Sequence, residues 1–285
     1  MRQVAILLMA MILPGGVAAA QEKPAAAQPP PTVQPAPAAS ATPEASPAPG
    51  LKAPPQAKSR AEYQAYQDAT QLKDAAALET AANSFADKYK DSDLRFLLYC
   101  RVMSLYQTAG QAEKAISMGR KALALNPDDP ATLAQIGTLL SEQTRDTDLD
   151  RLERLNEAMR DSQRALQTVD SDLVLPPDSP PARVEQIKNL VRVAAYGTIG
   201  NVALVKGNFA EAEKNLKQAI DLSAGNPDVV SWLRYAIALD QQKKYPEAMA
   251  AANKALELSP PGSPEATWSK QEHDRLMSLT GTQAK

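Results

Sequence analysis

Few residues in this chain could do covalent or metal chemistry, and their types and spacing decide against it. One histidine and one cysteine are present, His273 and Cys100. A thiol nucleophile needs a base in hydrogen-bond reach and a third group to orient that base. Nothing in the sequence links Cys100 to His273, which lies between Glu272 and Asp274. A zinc site wants about four Cys, His or carboxylate ligands, and here it would have to be mostly carboxylate. Gly197-Thr198-Ile199-Gly200 falls inside a predicted helix and lacks the preceding strand of a phosphate-binding loop. The acidic run 146–150 reads as a solvated turn, and a lone Cys as a small buried apolar residue. The expectation is no catalytic residue, no cofactor and no metal.

Composition narrows the remaining classes. The formal net charge is −2 with both signs intermixed, and no Lys/Arg cluster exists to release counterions from a phosphate backbone, so nucleic acid is not an expected partner. A single cysteine permits no intrachain disulfide. Aromatic residues make up 5% of the chain. Beyond residue 57, Ala, Leu, Glu, Lys and Gln dominate, the strong helix formers. An all-α fold follows.

The amino-terminal fifth is different in kind. Met1–Arg2, the apolar run Val4–Leu13, the breaker Pro14-Gly15-Gly16 and the small residues Ala18-Ala19-Ala20 form a secretory signal pattern over 1–20. The run is about half the ~20 residues needed to span a bilayer. Export to the periplasm or the medium is expected, the mature chain starting at Gln21 with no transmembrane span. Because Val4–Ala20 is uncharged throughout, an uncleaved signal anchor is the alternative. Residues 21–57 carry 11 of the 23 prolines and little but Ala to bury, so they read as a disordered Pro/Ala-rich linker. Extended as polyproline at about 3.1 Å per residue, it would reach on the order of 100 Å. A PxxP ligand for an aromatic groove is a second reading.

The remainder repeats. Trp232, Tyr235, Ala236 and Leu239, then Tyr245, Ala248, Ala252, Ala255, Leu258 and Pro260, define one copy. An earlier copy has Tyr196, Ile199, Gly200, Ala203, Phe209, Ala212, Leu216, Ala219 and Leu222, and another Tyr99, Met103, Tyr106, Ala115, Gly119, Ala122, Leu125 and Pro127. The offsets 103/115/122, 200/212/219 and 236/248/255 are identical. Each copy is two antiparallel helices, the first with apolar residues at i, i+3 and i+7. Small residues (Gly137, Gly200 and Ala236 facing Ala115, Ala212 and Ala248) allow close crossing, and Pro127 and Pro260 end second helices.

This pattern resembles the tetratricopeptide repeat, W-x₂-L-G-x₂-Y…A-x₃-F…P. The resemblance, to members of a bacterial exported type, covers roughly residues 60–260 and implies a right-handed superhelical solenoid of helical hairpins over 58–285. Units fall at about 60–92 (weak), 96–129, 130–169 (stretched by nine residues around Thr144–Asp150), 182–226 and 229–262. A polar capping helix over 263–280 covers the last hydrophobic surface. Residues 170–181, with Pro176-Pro177 and Pro180-Pro181, must be a loop, and Asp178 or Ser179 could cap the helix after it.

In such arrays first-helix residues line the concave face. The resemblance carries that role to Cys100, Arg101 and Ser104, to Gln135 and Thr138, to Thr198 and Asn201, and to Leu233, Arg234, Ile237 and Asp240. Plain solvated helix surface is the competing reading of these positions. Asn201 fits one slot of the clamp some relatives use for a peptide carboxylate, but Gly197 and Thr198 stand where Lys or Asn would be wanted. The implied function is an exported adaptor holding a partly acidic peptide or protein segment. The alternative is a structural subunit of a cell-envelope assembly that uses the loop 170–181.

Overall fold

The computed structural model describes residues 51–283 except 177, 224 and 227. The expected signal segment 1–20 and the linker as far as residue 50 lie outside the described residues. Among the described residues eleven helices follow one another: α1 Arg60–Thr70, α2 Ala75–Lys88, α3 Leu94–Thr108, α4 Ala112–Leu123, α5 Pro130–Gln143, α6 Arg151–Thr168, α7 Pro181–Val205, α8 Phe209–Leu222, α9 Val229–Gln241, α10 Tyr245–Leu258 and α11 Pro264–Gln283. Consecutive helices pack on one another and each hairpin packs on the next, a helical solenoid. Two-residue strands, β1 Leu51–Lys52 and β2 Leu173–Val174, pair in parallel. Among the described residues no helix is long and apolar enough to cross a membrane.

The hairpin turns show why the repeat offsets hold. Seven residues after each small slot the backbone turns left-handed, at Gly110 (φ 72°), Gly207 (φ 78°) and Lys243 (φ 61°). The following N–H then reaches back five residues: Gln111 to Tyr106 at 2.8 Å, Asn208 to Ala203 at 2.8 Å and Lys244 to Leu239 at 3.0 Å. This helix ending satisfies orphan carbonyls and reverses the chain in three residues. Residues 103, 200 and 236 thereby face 115, 212 and 248, and all three alanine slots are buried. A Cβ on Gly200 would stand 2.6 Å from Leu216 Cγ, and one on Gly137 2.5 Å from Ser162 Oγ.

Several helices start on side-chain caps. Asp74, Asp129 and Asp228 accept backbone N–H bonds from Ala77, Thr132 and Ser231, each at 2.8 Å. The expected cap at Asp178 or Ser179 does not form. Pro180 occupies that position without a side-chain bond, and Pro181 starts α7 with its fixed φ. The stretched third hairpin is opened by the turn 144–150, whose Leu149 is fully exposed.

The linker expectation also changes at its end. Residues 51–57 belong to the folded body: Leu51 is buried with Ala131, Leu173, Leu175, Val184 and Ile187, and Ala57 packs on the first core cluster. The loop 170–181 is not a free excursion either, since Leu173, Val174 and Leu175 are buried. α11 closes the far end with Leu276 and Ser269 fully buried.

Candidate binding surface

The first helices of successive hairpins, α3, α5, α7 and α9, carry the residues expected to line a concave face. Their middle slots are tied to one another. Cys100 Sγ lies 3.4 Å from Thr132 Oγ1, and the Gln135 amide donates to Gln107 Oε1, joining α3 to α5. The Thr138 and Thr198 hydroxyls are 3.1 Å apart, and Asn201 Nδ2 donates to the Ser141 carbonyl at 3.4 Å, joining α5 to α7. Gln135, Thr198 and Asn201 are all at most 6% exposed. These polar side chains form a seam between hairpins. Ser104 is half-buried and its carbonyl accepts the Thr108 hydroxyl at 2.9 Å. Ile237 is half-buried and Leu233 buried on α9.

The charged slots divide three ways. Asp240 is committed to the capping helix through Arg275 Nη2, 2.5 Å from Asp240 Oδ2. Arg234 lies deep enough that burial weakens its hold on its proton, an effect opposed by Glu142 and Asp228. Burial likewise raises the Glu142 carboxyl above the usual carboxylate range, with Arg234 pulling it back. Opposite charges from α5 and α9 therefore act on each other, although burial outweighs that attraction at both groups. Glu142 escaped the sequence reading, although it lies two turns beyond Gln135 on the same stripe. Arg101 is different. It sits beside Tyr66 of α1, whose hydroxyl is pushed up by burial and held down by that guanidinium.

Three buried polar atoms of these helices have no hydrogen-bond partner among the described residues: Arg101 Nε, Gln135 Oε1 and Glu142 Oε1. Each orphaned buried group costs about 1–3 kcal/mol, so a ligand that satisfied them would recover that amount. Cys100 and His273 lie on different helices, α3 and α11. Cys100 is buried within α3, its thiol pushed well up by desolvation and by Asp129. His273 Nδ1 is 3.2 Å from Asp274 Oδ1 on the outside of α11. Among the described residues no group of three His, Cys, Asp or Glu converges as metal ligands would.

Residues 198–263, from the middle of α7 to the end of α10, match the family model of the tetratricopeptide repeat. Over this stretch, just under a quarter of its length, the chain is similar to that repeat family. The matched stretch contains the turns at Gly207 and Lys243 and the packed pairs 200/212 and 236/248. Among solved structures, the chain is similar to a thermophilic tetratricopeptide-repeat protein of Thermus thermophilus, at 17% identity and a TM-score of 0.42, covering 74% of this chain and 98% of that one. No curated protein compared with the chain matches it.

Proposed function

We propose that this protein is an exported, non-catalytic adaptor whose first-helix face holds an extended peptide or protein segment with an acidic side chain placed over Arg101. The observation that carries it is the set of orphaned polar atoms on α3 and α5, above all Arg101 Nε. Burial of an unpaired donor on a repeat face is costly in the free protein and is relieved by a partner's carboxylate. Gln135 Oε1 and Glu142 Oε1 would take donors from the same segment, such as backbone amides or a basic side chain. Arg234, already opposed by Glu142, contributes less than its position suggests. The signal pattern over 1–20 and the Pro/Ala-rich stretch to residue 50 support export and a tethered reach. Mass spectrometry of the exported chain checks this, with Gln21 expected as the first residue.

Selection of extended peptides from a random displayed library against the full chain tests the groove. Enriched peptides are expected to carry Asp or Glu, and Arg101→Glu to weaken them tenfold or more. Arg164→Glu, on the second-helix side, should leave them unchanged. Equal binding by both variants refutes the assignment. The alternative of an assembly subunit acting through the loop 170–181 is less favoured, because Leu173–Leu175 are already buried against the protein's own core.

A further inference from the structure

In a solenoid each repeat packs only on its neighbours, so stability is close to a sum of unit and nearest-neighbour contributions. Residues 51–58 break that rule. At one end Leu51 pairs with Leu173 and Lys52 with Val174, the Leu175 N–H donates to the Lys52 carbonyl at 3.4 Å, and Lys52 Nζ lies 2.5 Å from Asp172 Oδ1. This end is seated in the core cluster formed by the loop before α7 with α5, α6 and α7. At the other end Ala57 packs on the cluster of the first three hairpins. There the Lys58 N–H donates to Glu62 Oε2 at 2.7 Å, Lys58 Nζ donates to the Asp91 carbonyl, and Ser59 Oγ caps α1 through the Glu62 N–H at 3.1 Å. Between them stand Pro54 and Pro55, whose fixed φ limits the slack in the connection. The loop is gripped from its far side as well, by Asp170 with Lys188 at 3.0 Å and Arg192 at 2.8 Å.

We infer that residues 51–58 are a latch joining the first hairpin to the loop before α7, so that the two open together as one event although the second and third hairpins lie between them. When closed, it sets the register of unit one against unit three and covers the edge of β2. When released, it uncovers the seat of Leu51 and that strand edge while freeing the start of α1. The latch directly follows residue 50, so whatever engages the amino-terminal segment acts on units one and three at once. This goes beyond partner binding and does not depend on the groove assignment.

Hydrogen–deuterium exchange on the full chain tests it with Leu51→Asp, which puts a carboxylate into the apolar seat near Asp172. Exchange should speed up tenfold or more in both 173–176 and 60–70, with α9–α10 unchanged and helical circular dichroism retained. A gentler pair isolates the charge contact: Lys52→Glu should raise exchange a few-fold at both places, and adding Asp172→Lys should restore it. Faster exchange at 173–176 alone, or no change at either place, overturns the latch.

Discussion

Two glycines three residues apart on α7 should respond in opposite directions to the same substitution. A Cβ at Gly197 would meet nothing within 4 Å, whereas one at Gly200 would lie 2.6 Å from Leu216 Cγ, 3.0 Å from its Cδ2 and 3.1 Å from its backbone nitrogen. Glycine inside a helix costs about 0.5–1 kcal/mol relative to alanine, so Gly197→Ala should stabilise by that amount. Gly200→Ala gains the same helix preference but must part the α7–α8 crossing. Carbon atoms pack at roughly 3.5–4 Å, so the new methyl is about 1 Å too close. Leu216 is fully buried and one of the opposing atoms is backbone, so neither can simply swing aside. Overpacking costs about 1–3 kcal/mol; taken from the upper half of that range less the helix gain, the net loss is about 1–2 kcal/mol. The two variants should then differ by about 2 kcal/mol or more, roughly 4–8 °C in Tm for a body of this size. Thermal melts of the full chain by circular dichroism measure the gap, and hydrogen exchange across α7–α8 localises it. A Tm for Gly200→Ala equal to or above that of Gly197→Ala would refute the close-crossing argument.

Further outcomes can be measured independently. Lys243→Gly should stabilise by about 1 kcal/mol in a denaturant titration, because Lys243 alone of the three equivalent turn residues holds φ at 61° with a side chain. Asp161 on α6 has its pKa raised to about 6 by burial and by Glu157, with Arg160 and Arg120 opposing. The unfolded carboxyl titrates near 3.9, so between about pH 4 and 6 the folded state holds the proton more tightly. Stability therefore falls as pH rises through that window and stays lower above it. Asp161→Asn should be more stable than the parent at pH 7.5, by on the order of 1 kcal/mol after screening at its partly exposed edge. The gap should shrink at pH 4, and urea midpoints that differ equally at both pH values would defeat this reading. Cys100, buried and with a raised pKa, should resist iodoacetamide at pH 8 in the native chain and label fully in urea.

The hairpins were legible in the residues because their geometry is local. The 3.6-residue period and a slot 12 positions ahead of a facing alanine act within about 20 residues, and three copies repeat them. Long-range charge pairing was not legible. Arg234 reads as a groove cation until Glu142, 92 positions earlier, comes to act on it. Asp240 reads as groove until Arg275 of the cap reaches it. Leu51 is hidden in a Pro/Ala-rich stretch whose composition gives no sign of a core, because a two-residue strand needs a partner more than 100 positions away to exist at all. Periodicity and offsets set each hairpin; stacking of hairpin on hairpin, through contacts that no local pattern encodes, decided which polar residues close seams and which buried polar atoms are left unpaired.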